Sequence, residues 1–392
     1  MPGATARSLP GAGRLVPGPG PRAAPFPGAA RMAPRLGWAR EPTTPCRMPP
    51  MRPVACPVCD RKDVPLWLEE EAPSLGRLRL VRCPGCGLGY LDPQPDPDEL
   101  APFYARDYYG GASGKFEPFI EALRDRLARR RASRLIEGLR AGARVIDVGC
   151  GDGRLLAAFA ALGCEGVGTE RRADHPRAGA AARGAEILAG DLTDVDLPAA
   201  RFDLCVYWHV LEHLHDPAAS LIAAGRVLRP GGRLVVAVPN LDSLQARWAR
   251  ERWFHLDLPR HLFHFTPESL AALLGRTGFR VTRVSHYCLE QNPFGLLQSA
   301  LNRRAAGEDG NALYEILKGT RRDAPLARRL LYRVAFALGM PLAAALATIE
   351  SMAGRGGTIE VWASTTEGEG AAEPAGRGRP SSAWTSAGAT VP

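Results

Sequence analysis

The feature that most constrains the fold is an apolar run that ends in an acid and is followed by three alternating glycines. From position 144 the sequence is R-V-I-D-V-G-C-G-D-G-R-L-L, which contains Asp147, Gly149, Gly151 and Gly153. A strand, a glycine turn and a helix place backbone N–H groups and a helix N-terminus against a ligand that approaches the main chain closely. Counted from Gly149, the third glycine of the dinucleotide fingerprint G-x-G-x-x-G would be at position 154, which is Arg154 here. The pattern therefore favours an adenosine-like ligand over NAD.

The next strands end in acids at positions suited to nucleoside contacts. The segment 165–170 is a short strand ending in Glu170, which can accept hydrogen bonds from both ribose hydroxyls. The segment 185–192 carries a second acid, Asp191, next to its last residue, where its carboxylate is placed to accept a hydrogen bond from the adenine amine. Further strands over 202–207 and 233–239, with helices between them, predict an α/β fold. A doubly wound nucleotide fold that holds another ligand, or none, is the alternative.

Together these segments resemble the class I S-adenosylmethionine-dependent methyltransferases, and specifically the bacterial subgroup with an N-terminal zinc ribbon. The matching words are V-I-D-V-G-C-G-D-G at 145–153, G-D-L at 190–192, L-E-H-L-H-D-P at 211–217, L-R-P-G-G at 228–232 and P-R-H-L-F-H-F-T-P-E-S-L at 259–270. The resemblance implies a Rossmann-like seven-stranded fold that binds S-adenosylmethionine. By this resemblance Glu170 binds the ribose, and Asp191 with Leu192 binds the adenine. The methionine side of the cofactor is bound by Asp147, Gly149, Cys150, Gly151 and Gly153.

Two C-x-x-C pairs precede this region. Cys56 and Cys59 are separated from Cys83 and Cys86 by 23 residues, and a turn at Gly76 suits a short hairpin between the pairs. Each pair can direct two thiolates at one tetrahedral centre. Four sulfurs leave no position for water or substrate, so the pattern predicts a structural zinc that takes no part in the chemistry. A redox-active cysteine pair is the alternative.

Most of the positive charge lies at the N-terminus. Residues 1–52 hold eight Arg, one acid, twelve Pro and seven Gly, and we expect this segment and the tail 365–392 to be disordered. The net charge of +9 therefore leaves only about +3 on 53–364, and the ribbon carries three consecutive acids at 69–71. This distribution argues against a nucleic-acid partner. Nine cysteines without a signal-peptide core indicate a reducing compartment, and hence a cytoplasmic protein.

Two histidine-containing segments supply candidates for the catalytic base. His209, Glu212 and His213 follow the fourth strand, where strand carboxyl ends face the ligand crevice. In quinone-pathway methyltransferases that this region resembles, the corresponding E-x-x-E-H site binds a divalent metal, but here His209 replaces the first acid. His261 and His264 lie in a segment that we expect to roof the crevice. Packed, purely structural histidines are the alternative for both groups.

The resemblance places a sixth strand over 280–288 and an antiparallel seventh over 357–364, which makes 289–356 an insertion. It holds nine basic and six acidic residues, and the segment 328–349 is strongly apolar with arginines at its edge. We interpret the insertion as a helical lid or dimer contact, or as a peripheral membrane contact through 328–349. A membrane span is excluded because Arg333 and Pro341 interrupt the segment and the chain must return to the sheet.

The predicted organisation is a zinc ribbon over 53–92, a linker over 93–115 and a methyltransferase domain over 116–364. The expected reaction moves a methyl group from S-adenosylmethionine to an oxygen or carbon nucleophile of a small molecule. Sugars and lipid-linked acceptors come first, because ribbon-bearing members of the family that this chain resembles commonly act on them. An RNA methyltransferase and a non-catalytic zinc-binding scaffold are the alternatives. The acceptor itself and the oligomeric state do not follow from the sequence.

Overall fold

A computed structural model of the chain describes residues 55–72, 74–104, 118–171, 185–305, 310–321 and 324–366. The segments predicted as disordered, 1–52 and 365–392, lie outside these residues except for the last two described positions. Thr365 ends a strand, so ordered structure extends slightly beyond the predicted boundary at 364.

The described residues contain eleven strands. In chain order they are β1 Leu66–Ala72, β2 Gly76–Arg82, β3 Gly89–Leu91, β4 Arg144–Val148, β5 Glu165–Glu170, β6 Glu186–Ala189, β7 Phe202–Trp208, β8 Leu228–Pro239, β9 Phe263–His264, β10 Phe279–Ser285 and β11 Thr358–Thr365. The sixth strand of the large sheet, β10, ends three residues before the predicted position 288.

The same residues form nine α-helices. They are α1 Pro97–Leu100, α2 Pro118–Leu135, α3 Arg154–Ala161, α4 Pro217–Val227, α5 Leu244–Ala249, α6 Pro267–Arg276, α7 Asn292–Arg304, α8 Ala312–Lys318 and α9 Leu326–Met352. Short 3-10 turns follow β7 and α5, and one at Ala101–Tyr104 lies within the predicted linker. Linker residues 105–115 fall outside the described ranges.

Seven strands form the large sheet in the order β10-β11-β8-β7-β4-β5-β6. The five neighbouring strands β8, β7, β4, β5 and β6 are parallel, whereas β11 is antiparallel to both of its neighbours, β10 and β8. On β7, Leu204 and Val206 pack in the same cluster as α2 and α3, while Cys205 and Tyr207 face the cluster that includes α4. Because alternate side chains of a strand point to opposite faces, both faces of this strand are covered. The predicted Rossmann-like seven-stranded fold is confirmed.

A second sheet joins the cysteine-rich segment to the larger domain. Its order is β1-β2-β3-β9, and the β1–β2 hairpin turns at Gly76, whose φ is +73°. The last strand, β9, comes from far along the chain and pairs with β3 through Tyr90 opposite Phe263. The segment expected to roof the crevice as a loop is thus partly a strand, because its apolar residues are buried against the small sheet.

Three helices connect β10 to β11 among the described residues of the insertion. The ring of Phe336 on α9 lies 6.5 Å from that of Phe294 on α7, so these two helices pack together.

Candidate active site

The glycine loop after β4 is packed on one side and open on the other. Gly149 has φ +66°, and a Cβ at this position would lie 2.6 Å from Cγ2 of Val210. Gly151 has φ +54°, but a Cβ there would have no atom within 4 Å. Both residues adopt a backbone conformation that favours glycine. The loop therefore presses against the turn that follows β7 and leaves free space beside Gly151.

Two buried acids flank this loop. Asp147 is buried, and its burial raises its pKa to about 7. Glu170, at the end of β5, is also buried and accepts a hydrogen bond from the Gly151 N–H at 2.9 Å through Oε2. The Cys150 N–H donates to the Thr169 carbonyl at 2.9 Å, which ties the loop to β5. The predicted methionine-side and ribose-side residues are thus brought together.

The predicted adenine-side residues lie at the end of β6. The Asp191 carboxylate accepts two hydrogen bonds from the Arg171 guanidinium, at 2.6 and 2.7 Å. Leu192 beside it is fully buried. An adenine amine at this place would have to share or displace the Arg171 contact, which sequence reasoning did not anticipate.

The turn after β7 carries a buried carboxylate. His209 has φ +56°, a strained conformation for a residue with a Cβ. Glu212 is 1 % exposed, and neither of its carboxylate oxygens has a hydrogen-bond partner among the described residues. His209 Nδ1 lies 3.4 Å from Glu212 Oε1. Burial raises the pKa of Glu212 to about 7 and lowers the pKa of His209 to about 4.

Two imidazoles meet beside Glu212. His213 Nδ1 lies 3.0 Å from the Arg260 carbonyl, and His261 Nδ1 lies 2.9 Å from the His255 carbonyl. Since a carbonyl can only accept, we assign the proton of each ring to Nδ1, which leaves the Nε2 lone pair of each free to accept. The rings lie edge to face with centroids 4.6 Å apart. One donor atom from each of Glu212, His213 and His261 lies within 4.8 Å of the others.

This cluster can hold a proton or a divalent cation. A carboxylate and two imidazole nitrogens are an ordinary ligand set for a transition metal or zinc. Burial lowers the pKa of both His213 and His261, so both rings are neutral near pH 7 and retain their lone pairs. Asp257, whose carboxylate is paired with the Arg260 guanidinium, lies 3.7 Å from His261 Nε2.

His264 occupies a different environment from the other candidate bases. Its Nε2 donates to the Leu256 carbonyl at 3.0 Å, and the residue is buried in β9 of the small sheet. Its ring lies 6.0 Å from that of His261. His264 therefore lies apart from the cluster of Glu212, His213 and His261, and its buried Nδ1 has no hydrogen-bond partner among the described residues.

Comparison with known proteins assigns the family. The methyltransferase-domain family matches residues 119–284. A solved methyltransferase from Archaeoglobus fulgidus is 20 % identical, covers 62 % of this chain and 94 % of that one, and has a TM-score of 0.40. A ubiquinone biosynthesis O-methyltransferase from Cereibacter sphaeroides is 31 % identical over 203 residues, which are 47 % of this chain and 82 % of that protein. This chain belongs to the S-adenosylmethionine-dependent methyltransferases.

Another relative agrees with this assignment. A ubiquinone biosynthesis O-methyltransferase from Mesorhizobium japonicum is 30 % identical over 231 residues, which are 52 % of this chain and 87 % of that protein. The protein is therefore an enzyme that uses S-adenosylmethionine, and the scaffold alternative is set aside. The buried acids and the free space beside Gly151 fit such a cofactor, because its adenosine and amino-acid parts are hydrogen-bond donors that must approach a backbone closely.

The methyltransferase also carries the predicted four-cysteine cluster. The Sγ atoms of Cys56 and Cys86 are 3.6 Å apart, those of Cys59 and Cys83 are 3.4 Å apart, and all four lie within 4.8 Å of one another. Zn–S bonds of about 2.3 Å in a tetrahedron would set the sulfurs about 3.8 Å apart. The cluster therefore fits a closed zinc site.

Two residues near the methyltransferase's site were missed by the sequence analysis. The guanidinium of Arg131 on α2 lies 3.8 Å from the centre of the Trp208 ring, and its charge opposes the rise of the Asp147 pKa. The Tyr104 hydroxyl lies 3.0 Å from His213 Nδ1. Tyr104 belongs to an aromatic segment of the sequence, F-Y-A-R-D-Y-Y-G at 103–110, which offered a signal for it. Arg131 is one arginine among many on α2, and no such signal distinguished it.

Proposed function

We propose that this methyltransferase transfers a methyl group to a hydroxyl oxygen of a small-molecule acceptor that is sugar-based or lipid-linked. The observation that carries the proposal is the buried Glu212 carboxylate, whose two oxygens have no hydrogen-bond partner among the described residues. It lies on the same turn as Val210, which packs against Gly149 of the cofactor loop. A proton acceptor thus lies one short turn away from the place assigned to the methyl donor.

For the cofactor we propose the following division. The loop 149–153 with Asp147 takes the methionine part, and Glu170 takes the ribose hydroxyls. Asp191 and Leu192 bind the adenine, and the adenine amine shares the Asp191 carboxylate with the Arg171 guanidinium or displaces it. When bound, S-adenosylmethionine supplies an electrophilic methyl group on a sulfonium. The protein excludes water around it and fixes the line of attack.

For the acceptor we propose that Glu212 receives the hydroxyl proton. The acceptor oxygen then forms a bond to the methyl carbon, the carbon–sulfur bond breaks, and S-adenosylhomocysteine leaves. A pKa near 7 suits a group that must take up a proton at neutral pH. His213 and His261 orient the acceptor hydroxyl, or hold with Glu212 a divalent cation that lowers the hydroxyl pKa.

The choice of acceptor class rests on several supports. The relatives from Cereibacter sphaeroides and Mesorhizobium japonicum are named as O-methyltransferases, which favours oxygen over carbon. The near-neutral charge of 53–364 gives little attraction for RNA. We further propose that the zinc at Cys56, Cys59, Cys83 and Cys86 is structural, because four thiolates close its coordination sphere.

The test uses S-adenosylmethionine with a carbon-13 methyl group and the full chain. The protein is incubated with separated polar and lipid extracts, and NMR of the products distinguishes O-methyl from C-methyl and N-methyl groups. We expect Glu212→Gln to lower kcat by about 10²–10⁴-fold while the Kd for S-adenosylhomocysteine stays within about twofold. The matched control is Glu137→Gln, an exposed residue after α2, which should leave both values unchanged.

Each outcome has a defined meaning. Labelled O-methyl product in the lipid extract supports a lipid-linked acceptor, and an O-methyl group assigned by NMR to a sugar in the polar extract supports a sugar acceptor. Loss of activity on adding a chelator, restored by a divalent ion with the zinc content unchanged, assigns the cluster to a cation instead of a proton. C-methyl or N-methyl products, or full activity of Glu212→Gln, would contradict the proposal.

A further inference from the structure

The last helix of the insertion turns its apolar side outward. Helix α9 has 27 residues and is long and apolar enough to cross a membrane, yet only 11 % of its most apolar window is buried. Every exposed residue on it is apolar. These residues, which we call the outer face of α9, are Leu326, Ala327, Leu330, Leu331, Val334, Ala337, Leu338, Pro341, Leu342, Ala345, Leu346, Ile349 and Met352. An ordinary surface helix shows the opposite pattern, with its apolar stripe toward the core.

The outer face is wider than a second helix can cover. At about 100° per residue its positions spread over an arc of roughly 200° around the helix axis. A helix-to-helix seam uses a much narrower stripe of every third or fourth residue. Leu326 and Leu338 are each 75 % exposed and Met352 is 68 % exposed, so the face also runs the whole length of the helix. An apolar medium fits this shape better than a facing helix from a second copy.

The inner side of α9 holds the helix to the enzyme. Phe336 packs against Phe294, and Ala343 and Ala347 are buried. The carboxylate of Glu350 accepts hydrogen bonds from the backbone and side-chain N–H groups of Gln245, at 2.7 and 2.9 Å. Strand β11 begins six residues after the helix ends and lies inside the large sheet. The helix therefore cannot leave the body to span a bilayer, but it can lie along one.

Positive charge borders the outer face at one end. Of the described residues 318–321 and 324–333, five are basic and none is acidic. On the same helical projection, Arg328 and Arg333 fall near the two edges of the apolar arc. Long basic side chains at such edges reach the headgroup level while their stems stay in the apolar layer. Each basic residue near an anionic bilayer surface adds electrostatic attraction that salt screens.

We propose that the outer face of α9 binds the surface of an anionic lipid bilayer, with the helix lying in the plane of the interface. The apolar arc enters the acyl boundary and the arginines meet anionic headgroups. The inference goes beyond methyl transfer and does not depend on which acceptor is used. It places the enzyme at a membrane surface.

The test is flotation of the full chain with vesicles of phosphatidylcholine alone or of phosphatidylcholine and phosphatidylglycerol in equal parts. We expect binding to the anionic vesicles, weakened by salt. Leu338→Asp should lower the partition coefficient by about tenfold or more, because a charge then enters the apolar layer. Ile222→Asp, at a residue 60 % exposed on α4, is the matched control and should bind as the wild type does. The variant Arg328→Gln, at one edge of the arc, should bind less and show a weaker salt dependence.

Binding of S-adenosylhomocysteine to each variant verifies that it is folded, and this readout does not require methyl transfer. If Leu338→Asp fails to fold, Leu330→Asp on the same face takes its place. The proposal is overturned if the wild type does not float with anionic vesicles. It is also overturned if sedimentation shows a dimer that Leu338→Asp converts to a monomer while vesicle binding is unchanged, since the face would then cover a second copy.

Discussion

The two glycines of the cofactor loop lead to a prediction with opposite outcomes at neighbouring positions. Gly149→Ala places a methyl group 2.6 Å from Cγ2 and 2.7 Å from Cγ1 of Val210 at a φ of +66°. Gly151→Ala places the same methyl group in open space at a φ of +54°. The first change should therefore lower stability, and the second should chiefly lower cofactor affinity.

The magnitudes follow from these contacts. A non-glycine residue in the left-handed region costs about 1–2 kcal/mol, and both variants carry this cost. Gly149→Ala adds overpacking against Val210, worth about 1–3 kcal/mol, so we expect a loss of about 2–5 kcal/mol in the free energy of unfolding. In Gly149→Ala/Val210→Ala the overpacking part should be recovered as a favourable coupling energy of about 1–3 kcal/mol.

The assay is urea unfolding of the zinc-loaded chain together with calorimetric binding of S-adenosylhomocysteine. We expect Gly151→Ala to lose no more than about 2 kcal/mol of stability and to bind at least about tenfold more weakly, which is about 1.4 kcal/mol of binding free energy. If Gly151→Ala binds S-adenosylhomocysteine as the wild type does, the cofactor does not pass beside this residue. If the double variant shows no coupling, the Gly149 and Val210 contact is not the cause of the instability.

Two further predictions concern the zinc cluster and the buried acid. Cys83→Ser should abolish zinc binding in metal analysis and lower the melting temperature by about 5 °C or more, whereas Cys164→Ser, a partly exposed thiol outside the cluster, should change neither. The pKa of Asp147 is raised to about 7 by burial, so its contribution to stability is present below its ordinary pKa and is lost as the pH rises toward 7. In urea unfolding of the cofactor-free enzyme, the free energy of unfolding of Asp147→Asn should fall less steeply with rising pH over this interval than that of the wild type. An unchanged slope would show that this carboxyl does not titrate as described.

The central sheet and cofactor loop could be predicted because their signals are local. A strand of buried residues, a positive-φ glycine and an acid at the strand end are each recognisable within a few positions, as at Asp147, Gly151 and Glu170. Their order along the chain then determines the strand order through the short right-handed connections of α/β folds. The four cysteines were predictable for the same reason, since the spacing of the ligands is itself the signal.

Other features required contacts between distant parts of the chain. Nothing near Phe263 indicates that it pairs with Tyr90, because a two-residue strand has no periodicity to detect. The bidentate contact of Arg171 with Asp191 depends on how two neighbouring strand ends meet. The sequence of 328–349 indicated an apolar helix, but whether its apolar side faces inward or outward is decided by packing with α7.

The small sheet connects the four-cysteine cluster to the part of the site where we propose that the acceptor binds. The Thr266 hydroxyl at the start of α6 donates to the Cys86 carbonyl at 3.1 Å, and β9 pairs directly with β3. His261 lies only two residues before β9, and its neighbour Leu262 donates its N–H to the Glu212 carbonyl at 2.9 Å. Ordering the cysteines around a metal therefore also orders the segment that aligns His261 with Glu212. Among the described hydrogen bonds, none connects the glycine loop directly to the small sheet. Loss of the metal should therefore impair acceptor turnover more than cofactor binding.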